Sequence, residues 1–596
     1  MPHYILGVHD GHNASAAILR DGQLLFAIQE ERLTGRKNHN GFPHESIKAC
    51  LAYAGAAPKD IAQFALVTLR RTPGGHRTQD MAAAFRRDAS LYGFTRRLAW
   101  SAGVRLNPNM GAEERLRAAE SLGFKREQVQ RYDHHLGHAA TAYFGMREDP
   151  KTRYLVITID GMGDLSCCTI NTAEAGQITP IARTPFTDSL GTIYGFVTGA
   201  MGFVPLEHEY KLMGMAPYAA EKYARQAAER FQALLDVDED ALRFRRKTPE
   251  PTFCLNRRLL KLIGGMRFDN VCAGLQLFTE ETLIKLVQAA IRKTGIRRVL
   301  CAGGVFMNVK ANKRLMELPE VDYLGVAPSS GDETMCMGIA WQAHAVTGGP
   351  GAADQIPPLG SFFLGTDVDD PDAASVVRGS GHEFERFDDI ESEVAKVLAA
   401  GHPVARCKGR MEFGARALGN RSILADPKHQ DVVRIINQMV KKRDFWMPFA
   451  PVVRRERVHE YVHNPKDFPS PYMMLTFDAR ENFRDFIAAV HNADLTARMQ
   501  ILEESHNPDY YRILKTFEGL TGRGVLLNTS FNLHGYPIVL GPKEAMFVFD
   551  NSGLTYLAVG QYLVRKQVAS VPDSDRDRSA REPRAQPREL EASPAP

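Results

Sequence analysis

Two stretches of the chain repeat the same order of apolar and polar segments. In the first stretch the segments are apolar, polar, apolar, turn and apolar, at residues 4–8, 9–13, 14–19, 21–22 and 24–31. Residues 154–184 repeat this order, with a polar loop at 161–164 and a turn at 175–176. Short apolar runs separated by glycine-containing turns predict antiparallel strands. The pattern therefore predicts one strand–loop–strand–turn–strand unit that occurs twice.

The repeated unit also predicts the fold class. Two copies about 150 residues apart indicate an α/β protein in which two similar lobes face one cleft, as in actin-like ATPases and sugar kinases. Loops of this kind, at Asp10 and Asp160, present backbone N–H groups to the phosphates of a nucleotide. Two later strand–loop–helix units add glycines where the backbone can approach a nucleotide closely. The predicted nucleotide-binding residues are Gly161, Gly303, Gly304, Asn308, Ser330 and Gly331.

The chain of 596 residues is too long for one hydrophobic core, so we expect several domains. A stretch rich in proline and glycine, 346–360, indicates a boundary. The residues after about 568 lack apolar content and predict disorder. We therefore predict a first domain over 1–355, a second domain over 361–568 and a disordered tail over 569–596.

Composition and charge are those of an ordinary soluble enzyme. The 74 basic and 70 acidic side chains nearly balance, so no nucleic-acid partner is indicated. The sequence has no apolar run long enough to span a bilayer and no signal core at its start, so we expect no membrane partner and a cytoplasmic location. The eight cysteines show no C-x-x-C spacing, which argues against a zinc ribbon or a disulfide framework.

The stretch D-H-H-L-G-H-A-A, residues 133–140, indicates a metal site. If the segment is helical, His134 and His138 project from the same face and can share one ion, whereas His135 points elsewhere. Asp133 is the predicted N-cap. A surface helix that merely carries histidines is an equally good interpretation of these residues alone.

A metal site also needs carboxylates from elsewhere in the chain. In the two-lobe arrangement, Asp160 follows a strand in the second lobe and Asp332 begins a helix beside the cleft. Two imidazoles with two carboxylates suit Fe(II), Mn(II) or Zn(II), because sites made of oxygen alone favour magnesium or calcium. The alternatives are that Asp160 forms a turn and Asp332 caps its helix.

The first loop and the segment after it carry candidates for proton transfer. Either Asp10 or His12 could accept a proton from a substrate hydroxyl, since both types titrate usefully when neighbours tune them. Arg36 and Lys37 could reach a phosphate or stabilise an oxyanion, although a solvated basic loop fits these two residues equally well.

A second basic cluster lies in the later domain. The segment 408–422 contains Lys408, Arg410, Arg416 and Arg421 among three glycines, which favours a small multiply charged anion over a solvent-exposed face. Further along, Asn528 and Ser530 follow a strand and could hydrogen-bond an amide-like group, although turn chemistry explains them too. Arg498 is a weaker candidate.

Taken together, these motifs resemble the O-carbamoyltransferases that modify nodulation factors, cephamycins, aminoglycosides and macrocyclic antibiotics. The matching stretches extend to about residue 565 and read HDGHNASAAILRDGQLL, EERLTGRK, HHLGHAA, IDGMGD, YKLMGMAPY, CAGGVFMN, SSGDE, GRMEFGARALGNRSILADP, WMPFAPVV and LLNTSFN. Two departures are Ala415, where the family often has proline, and Asn13, where aspartate is expected.

The resemblance implies a duplicated actin-like (ASKHA, Kae-type) domain followed by a YrdC-like α/β domain, and a reaction in two halves. ATP and carbamoyl phosphate would give carbamoyl adenylate and pyrophosphate, and a hydroxyl of a small natural product would then take the carbamoyl group while AMP leaves.

By motif position, the ligands of Fe(II), or of Mn(II) or Zn(II) in its place, would be His134, His138, Asp160 and Asp332. Mg²⁺ is a further candidate. Transfer would involve Asp10, His12 and Lys37. Carbamoyl phosphate would be held by Lys408, Arg410, Arg416, Arg421, Arg498, Asn528 and Ser530.

Two other classes of function are alternatives. An actin-like ATPase could use nucleotide hydrolysis as a conformational switch, but it would need neither paired histidines nor an anion cluster in a second domain. A metal-dependent hydrolase could use the histidine and aspartate site alone. A homodimer is the commonest assembly for enzymes of this kind.

Overall fold

The computed structural model describes residues 2–71, 85, 88–441 and 444–566. Helices and strands alternate through these residues, which confirms the α/β class. The N-terminal part, defined as residues 2–347, contains two five-stranded sheets. The C-terminal part, defined as residues 370–566, contains a sheet of eight strands. The predicted tail, 569–596, lies outside the described residues.

The strands of the N-terminal part are β1 (Tyr4–His9), β2 (Ser15–Arg20), β3 (Gln23–Gln29), β4 (Ile61–Val67), β5 (Val129–Tyr132), β6 (Tyr154–Gly163), β7 (Ser166–Glu174), β8 (Gln177–Pro185), β9 (Leu235–Asp238), β10 (Arg243–Arg246), β11 (Arg298–Ala302) and β12 (Tyr323–Val326). Its described α-helices are α1 (Glu30–Thr34), α2 (His44–Ala54), α3 (Leu91–Leu106), α4 (Ala112–Ser121), α5 (His134–Met146), α6 (Leu190–Ala200), α7 (Glu209–Met215), α8 (Glu221–Gln232), α9 (Asn256–Ile263), α10 (Phe268–Thr294), α11 (Val309–Met316) and α12 (Met335–Thr347).

The two five-stranded sheets have the same topology. The strand order is β3-β2-β1-β4-β5 in the first lobe and β8-β7-β6-β11-β12 in the second. In each lobe the first three strands form antiparallel hairpins, and the first strand also pairs in parallel with a strand that follows a helical crossover. This agreement confirms the duplicated, actin-like arrangement that the repeated pattern predicts.

The predicted hairpin turns form where the sequence allows a left-handed backbone. Asp21 and Gly22 both have positive φ, at 52° and 81°, and Ala175 and Gly176 repeat this with 48° and 77°. Two successive residues of positive φ make the turn whose twist matches that of antiparallel strands. The third predicted strand was too long at its end, because Glu30 begins helix α1 instead. Its buried carboxylate accepts hydrogen bonds from the first turn of α2.

Helices α5 and α12 pack against each other at the centre of the N-terminal part. A Cβ on Gly338 would lie 2.4 Å from the Gly137 carbonyl oxygen, and a Cβ on Gly137 would lie 2.7 Å from a Val67 methyl group. The two helices can therefore approach only because these positions lack side chains. The small residues of the histidine helix thus let another element come close.

The strands of the C-terminal part are β13 (Glu383–Arg386), β14 (Val404–Cys407), β15 (Arg421–Ala425), β16 (Ala450–Arg454), β17 (Val462–His463), β18 (Phe477–Ala479), β19 (Thr496–Ala497), β20 (Gln500–Leu502), β21 (Val525–Ser530), β22 (Tyr556–Val559) and β23 (Tyr562–Arg565). Its described α-helices are α13 (Asp370–Arg378), α14 (Ile390–Ala399), α15 (Asp431–Ile436), α16 (Val458–Tyr461), α17 (Pro508–Thr521) and α18 (Pro542–Asp550). The main sheet has the order β13-β23-β22-β14-β15-β21-β16-β20.

One hydrophobic core extends through both parts of the molecule. It includes Leu300 and Trp341 from the N-terminal part and Phe413, Val453 and Met499 from the C-terminal part, all of them buried. Apolar burial of this kind is the main favourable contribution to folding. The two parts therefore pack as a single body around shared side chains.

Two expectations from composition can be compared with the structure. All eight cysteines are buried and unpaired, as the absence of C-x-x-C spacing predicts. Among the described residues, every helix is too short or too polar to cross a bilayer.

Candidate active site in the cleft between the lobes

The four predicted metal ligands come together in the cleft. One donor atom from each of His134, His138, Asp160 and Asp332 lies within 4.8 Å of the others. The Nε2 atom of His134 is 3.3 Å from Asp160 Oδ2 and 3.7 Å from Asp332 Oδ1. The Nε2 atom of His138 is 3.3 Å from Asp332 Oδ1. These separations suit donors that surround one cation at about 2.0–2.2 Å each.

Two carboxylates and one glycine fix the start of the histidine helix. Asp133 is the N-cap and accepts a hydrogen bond from Leu136 N at 3.1 Å, as predicted. Asp164, in the turn that links β6 to β7, accepts a hydrogen bond from His134 N at 2.8 Å. A Cβ on Gly163 would lie 2.1 Å from the His134 imidazole. The loop and the helix therefore interlock, and His134 keeps its place because position 163 is glycine.

Hydrogen bonds on the outer side of the ligands support metal binding. Thr68 Oγ1 lies 3.2 Å from His134 Nδ1, which leaves Nε2 for the ion. Gly304 N donates to Asp160 Oδ1 at 3.2 Å. Both ring nitrogens of the fully buried His138 lack a hydrogen-bond partner. A buried imidazole without a partner is costly, so a ligand bond to a cation is its natural use.

The four candidate ligands also shift one another's pKa values. Burial disfavours a charged imidazole, but Asp332 and Asp160 outweigh this effect and raise the pKa of His134 to about 9. Burial likewise opposes ionisation of Asp332, yet the surrounding imidazoles hold its pKa well below the usual range. The Asp332 carboxylate is therefore ionised at neutral pH. Two imidazoles and two carboxylates fit Fe(II), Mn(II) or Zn(II).

Asp10, one of the two candidate bases, is committed to ion pairs. Its carboxylate, 1% exposed, accepts hydrogen bonds from Arg71 Nη1 at 2.8 Å and from Arg115 Nε at 2.8 Å and Nη2 at 3.0 Å. Burial opposes ionisation, but these two guanidinium groups hold the pKa of Asp10 below its usual value. A carboxylate in this setting anchors the loop and is a poor proton acceptor.

His12 lies on the same loop, with Nε2 buried and without a hydrogen bond. Its carbonyl oxygen is 2.9 Å from Nε2 of His9, the last residue of β1, and that Nε2 is 3.8 Å from Asp332 Oδ2. Burial lowers the pKa of His9 to about 4, so its imidazole is neutral. The loop that carries His12 is thus connected to the metal site through His9.

Lys37 lies on the segment that follows α1 and forms an ion pair with Glu207. Burial opposes ionisation of Glu207, but Lys37 holds the pKa of its carboxyl below the usual range. Glu207 belongs to the loop between α6 and α7, and sequence reasoning did not single it out. Lys37 is therefore held at the cleft by a partner from the other lobe and is not part of a freely solvated loop.

The predicted nucleotide-binding residues cluster beside Asp160, although their side chains serve different purposes. Gly303 has φ 104°, and a Cβ there would lie 2.3 Å from the Ile159 carbonyl oxygen. The Gly161 carbonyl accepts hydrogen bonds from two hydroxyl groups at the start of α6. The Asn308 amide caps α11 and pairs with Gln276. The Asn308 side chain and the Gly161 carbonyl are therefore engaged by neighbouring protein groups.

The loop at residues 329–333 is held by its own hydrogen bonds and by close packing at Gly331. Ser330 accepts a hydrogen bond from Gly303 N at 3.0 Å through its carbonyl, whereas its hydroxyl donates to Ala327 O at 2.8 Å. A side chain on Gly331 would collide with the Glu333 carboxylate. The Ser330 hydroxyl is thus used within its own loop and does not point to a nucleotide.

Part of the predicted anion site is assembled in the C-terminal part. The Asn528 amide donates to Ala417 O and to Gln500 Oε1, both at 3.0 Å. These two bonds connect Ala417, the residue after Arg416, with β20, the strand that begins two residues after Arg498. Ser530 lies two residues from Asn528 on the same strand, so both side chains are on one face of the sheet. The chain segments that carry Arg416 and Arg498 therefore come close to Asn528 and Ser530.

Three other predicted anion ligands, Lys408, Arg410 and Arg421, have protein partners in the structure. Arg421 is fully buried and donates to the carbonyl oxygens of Leu540, Lys408, Gly409, Asn420 and Thr366. Arg410 donates to the carbonyls of Leu25, Leu364 and Gly365. Lys408 is 2.9 Å from Asp509 Oδ2 and also pairs with Glu391. Density of basic residues in the sequence did not reveal that these three stabilise the backbone or neutralise carboxylates.

Comparison with known proteins decides the family. A carbamoyltransferase N-terminus profile matches residues 4–341, and a carbamoyltransferase C-terminus profile matches residues 395–566. The chain belongs to the carbamoyltransferase family. Nodulation protein NolNO of Sinorhizobium fredii is 32% identical over 577 residues, covering 95% of this chain and 80% of its own. The 3'-hydroxymethylcephem-O-carbamoyltransferase of Amycolatopsis lactamdurans is 31% identical over 259 residues, covering 44% and 47%.

Several residues at the centre of this carbamoyltransferase were missed by sequence reasoning. His9, Thr68, Asp164, Glu207 and Glu333 all contact or adjoin the predicted site residues. Asp164 had a usable signal, since it ends the quoted IDGMGD motif. Thr68 and Glu207 had none, because only the folded chain brings their loops to the cleft.

Proposed function

We propose that the protein is an ATP-dependent O-carbamoyltransferase that forms carbamoyl adenylate from ATP and carbamoyl phosphate and passes the carbamoyl group to a hydroxyl of a small natural product. The observation that carries this proposal is the convergence of two imidazoles and two carboxylates within 4.8 Å, beside glycine loops suited to a nucleotide. Family membership and a separate cluster of arginine and amide side chains support it further.

The first half of the reaction is assigned to the region around Arg416, Arg498, Asn528 and Ser530. Guanidinium forks bind phosphate oxygens, and an amide can recognise the carbamoyl group. Carbamoyl phosphate loses its phosphate to water, and an oxygen of the resulting carbamate attacks the α-phosphorus of ATP. Pyrophosphate then leaves. Carbamoyl phosphate, ATP and water thus give carbamoyl adenylate, phosphate and pyrophosphate.

The second half is assigned to the cleft between the lobes. The acceptor hydroxyl attacks the carbamoyl carbon, its proton passes to His12 Nε2, and AMP leaves with the electrons of the broken C–O bond. His12 suits this role because its Nε2 has no hydrogen-bond partner, whereas the Asp10 oxygens are held by two arginines. Lys37 supplies positive charge for the developing oxyanion. A divalent cation at the His134 and Asp332 site, when bound, supplies positive charge for the adenylate phosphate.

The test of the overall reaction is product analysis. The protein is incubated with ATP, carbamoyl phosphate and Fe(II) or Mn(II), with each omitted in turn, and pyrophosphate, phosphate and AMP are measured. We expect pyrophosphate only when ATP and carbamoyl phosphate are both present. Release of phosphate from ATP without carbamoyl phosphate would favour an ATPase switch. A screen of candidate alcohols for a mass gain of one carbamoyl group then identifies the acceptor.

The division between the two half-sites has its own test. Arg416→Ala should abolish pyrophosphate release, because the anion loses a guanidinium partner, while carbamoyl adenylate supplied from outside is still consumed. Arg434→Ala, which changes an exposed arginine paired with Asp431 on α15, is the matched control and should retain both activities. Equal failure of both half-reactions in Arg416→Ala would contradict the assignment.

A further inference from the structure

Two loops meet at Ser329: the metal loop, defined as residues 329–333, and the anion loop, defined as residues 414–416. The Ser329 hydroxyl accepts a hydrogen bond from Ala415 N at 2.9 Å and donates to the Glu333 carboxylate. Ala415 immediately precedes Arg416, and Glu333 immediately follows the metal ligand Asp332. A single buried hydroxyl therefore joins the backbone of the proposed carbamoyl phosphate site to the loop of the metal site.

The surroundings leave this hydroxyl little freedom. Ser329 is 2% exposed and has φ 52°, a conformation that a serine adopts at a cost. Across from it, Gly414 has φ 89°, and a Cβ there would lie 2.6 Å from Ser329 Cβ. On the other side, Arg32 donates to Gly414 O at 2.9 Å. Residues 414–415 are thus held between Ser329 and an arginine of α1.

Glu333 completes the arrangement. One of its carboxylate oxygens accepts from Ser329, and the other is buried without a hydrogen-bond partner. The backbone carbonyl of Glu333 is also fixed, because it accepts a hydrogen bond from Ser15 Oγ at 2.8 Å. The Ser329 hydroxyl is therefore oriented by a side chain whose own backbone is anchored in the first lobe.

We propose that Ser329 is a positioning residue that sets the Arg416 loop against the metal loop by accepting the Ala415 N–H. This inference rests on the proposed function, since it assigns carbamoyl phosphate to Arg416. The hydrogen bond from Ala415 N to Ser329 requires an N–H at position 415. Proline, which the family often has there, lacks this N–H and could not form the bond. Without the hydroxyl, the loop would lose one fixed hydrogen bond, and Arg416 would meet its anion with poorer geometry.

The experiment compares two affinities in the full-length protein, with carbamoyl phosphate and Mn(II) as separate probes in titration calorimetry. Ser329→Ala and Ser329→Gly should each weaken carbamoyl phosphate binding about tenfold, equivalent to ~1.4 kcal/mol, and leave Mn(II) binding unchanged. The glycine variant suits φ 52°, so it removes the hydroxyl without adding backbone strain. Thr282→Ala, which removes a buried hydroxyl that donates to Phe278 O within α10, is the control and should change neither affinity.

Three results would overturn the inference. Unchanged carbamoyl phosphate binding in both Ser329 variants would show that the contact does not position the loop. Parallel loss of both ligands together with a lower melting temperature would indicate a general structural role for Ser329. Failure of the unsubstituted protein to bind carbamoyl phosphate would instead refute the proposed function on which the inference depends.

Discussion

At the scale of single residues, the site is built from side chains whose positions depend on neighbours without side chains. His134 approaches Asp160 only because Gly163 leaves room for its ring, and Gly304 lies close enough for its N–H to bind Asp160. The sequence allowed us to predict that His134 and His138 lie together, since paired histidines at i and i+4 share a helix face. It could not reveal Thr68 or Asp164 as their partners, because those contacts join loops distant in the chain.

Replacement of His138 by alanine should empty the metal site. His138 is fully buried, and neither of its ring nitrogens forms a hydrogen bond within the described residues, although Nε2 lies 3.3 Å from Asp332 Oδ1. Its loss should therefore remove a ligand without breaking a hydrogen bond. Metal content is measured after anaerobic loading with Fe(II) or Mn(II). His135→Gln is the control, since His135 lies on the same helix but its Nδ1 is 2.8 Å from Thr158 Oγ1. Unchanged metal content in His138→Ala would refute the ligand assignment.

Gly163→Ala should weaken metal binding by about tenfold, the lower end of effects seen for residues that orient metal ligands. The added methyl group would overlap the His134 ring at 2.1 Å and displace its Nε2 atom. Gly161→Ala is the comparison, because a Cβ there meets no atom within 4 Å. Binding is followed by titration with Mn(II), and equal affinities in the two variants would contradict the proposed constraint.

At the scale of elements, the C-terminal part packs against the N-terminal part through polar contacts at and beside helix α11. Lys310 pairs with Asp494, and Asn312 donates to Met474 O at 2.9 Å. Lys466 donates to the carbonyl oxygens of Met316, the last residue of that helix, and of Leu318 and Val321 beyond it. The strand–loop–helix unit was predictable from its apolar run and glycines. The docking partners were not, because Lys310 and Asn312 look like an ordinary solvated helix face in the sequence.

The ion pair at Asp494 predicts a pH-dependent contribution to stability. Burial opposes ionisation, but His491 and Lys310 hold the pKa of Asp494 well below its usual value of 3.8. The ionised carboxylate therefore stabilises the folded state above about pH 4, and this contribution is lost as the pH falls further. Asp494→Asn should lower the free energy of unfolding by about 1 kcal/mol at pH 7. The difference from the unsubstituted protein should shrink towards pH 3.

Urea unfolding at a series of pH values measures this difference. Asp431→Asn is a matched control, since Asp431 forms a more exposed pair with Arg434 within α15. A penalty in Asp494→Asn that stays constant from pH 7 to pH 3 would contradict the proposed ion pair.

At the scale of the whole molecule, the two parts share their core. The duplicated lobes could be predicted from the repeated pattern, because hairpin strands and turns leave a local signature in the sequence. The joint packing of Trp341, Phe413 and Met499 could not, since apolar residues do not specify which distant element covers them. The domain limits predicted at residues 355 and 361 stay predictions, and the hydrophobic core extends across them.

A continuous core predicts that the protein unfolds in one cooperative step. Differential scanning calorimetry should show a single transition, because exposing the C-terminal part would also expose apolar residues of the N-terminal part. Two well-separated transitions would contradict this prediction and indicate independent cores.

The shared core also limits how enzymes of this family can be recombined. A chimera that joins the N-terminal part of one relative to the C-terminal part of another would place unmatched side chains on both sides of the buried junction at Trp341 and Phe413. Exchange of exposed loops around the cleft, such as the one that carries Glu207, leaves that junction intact. New acceptor preferences should therefore be sought by loop grafting and not by trading halves.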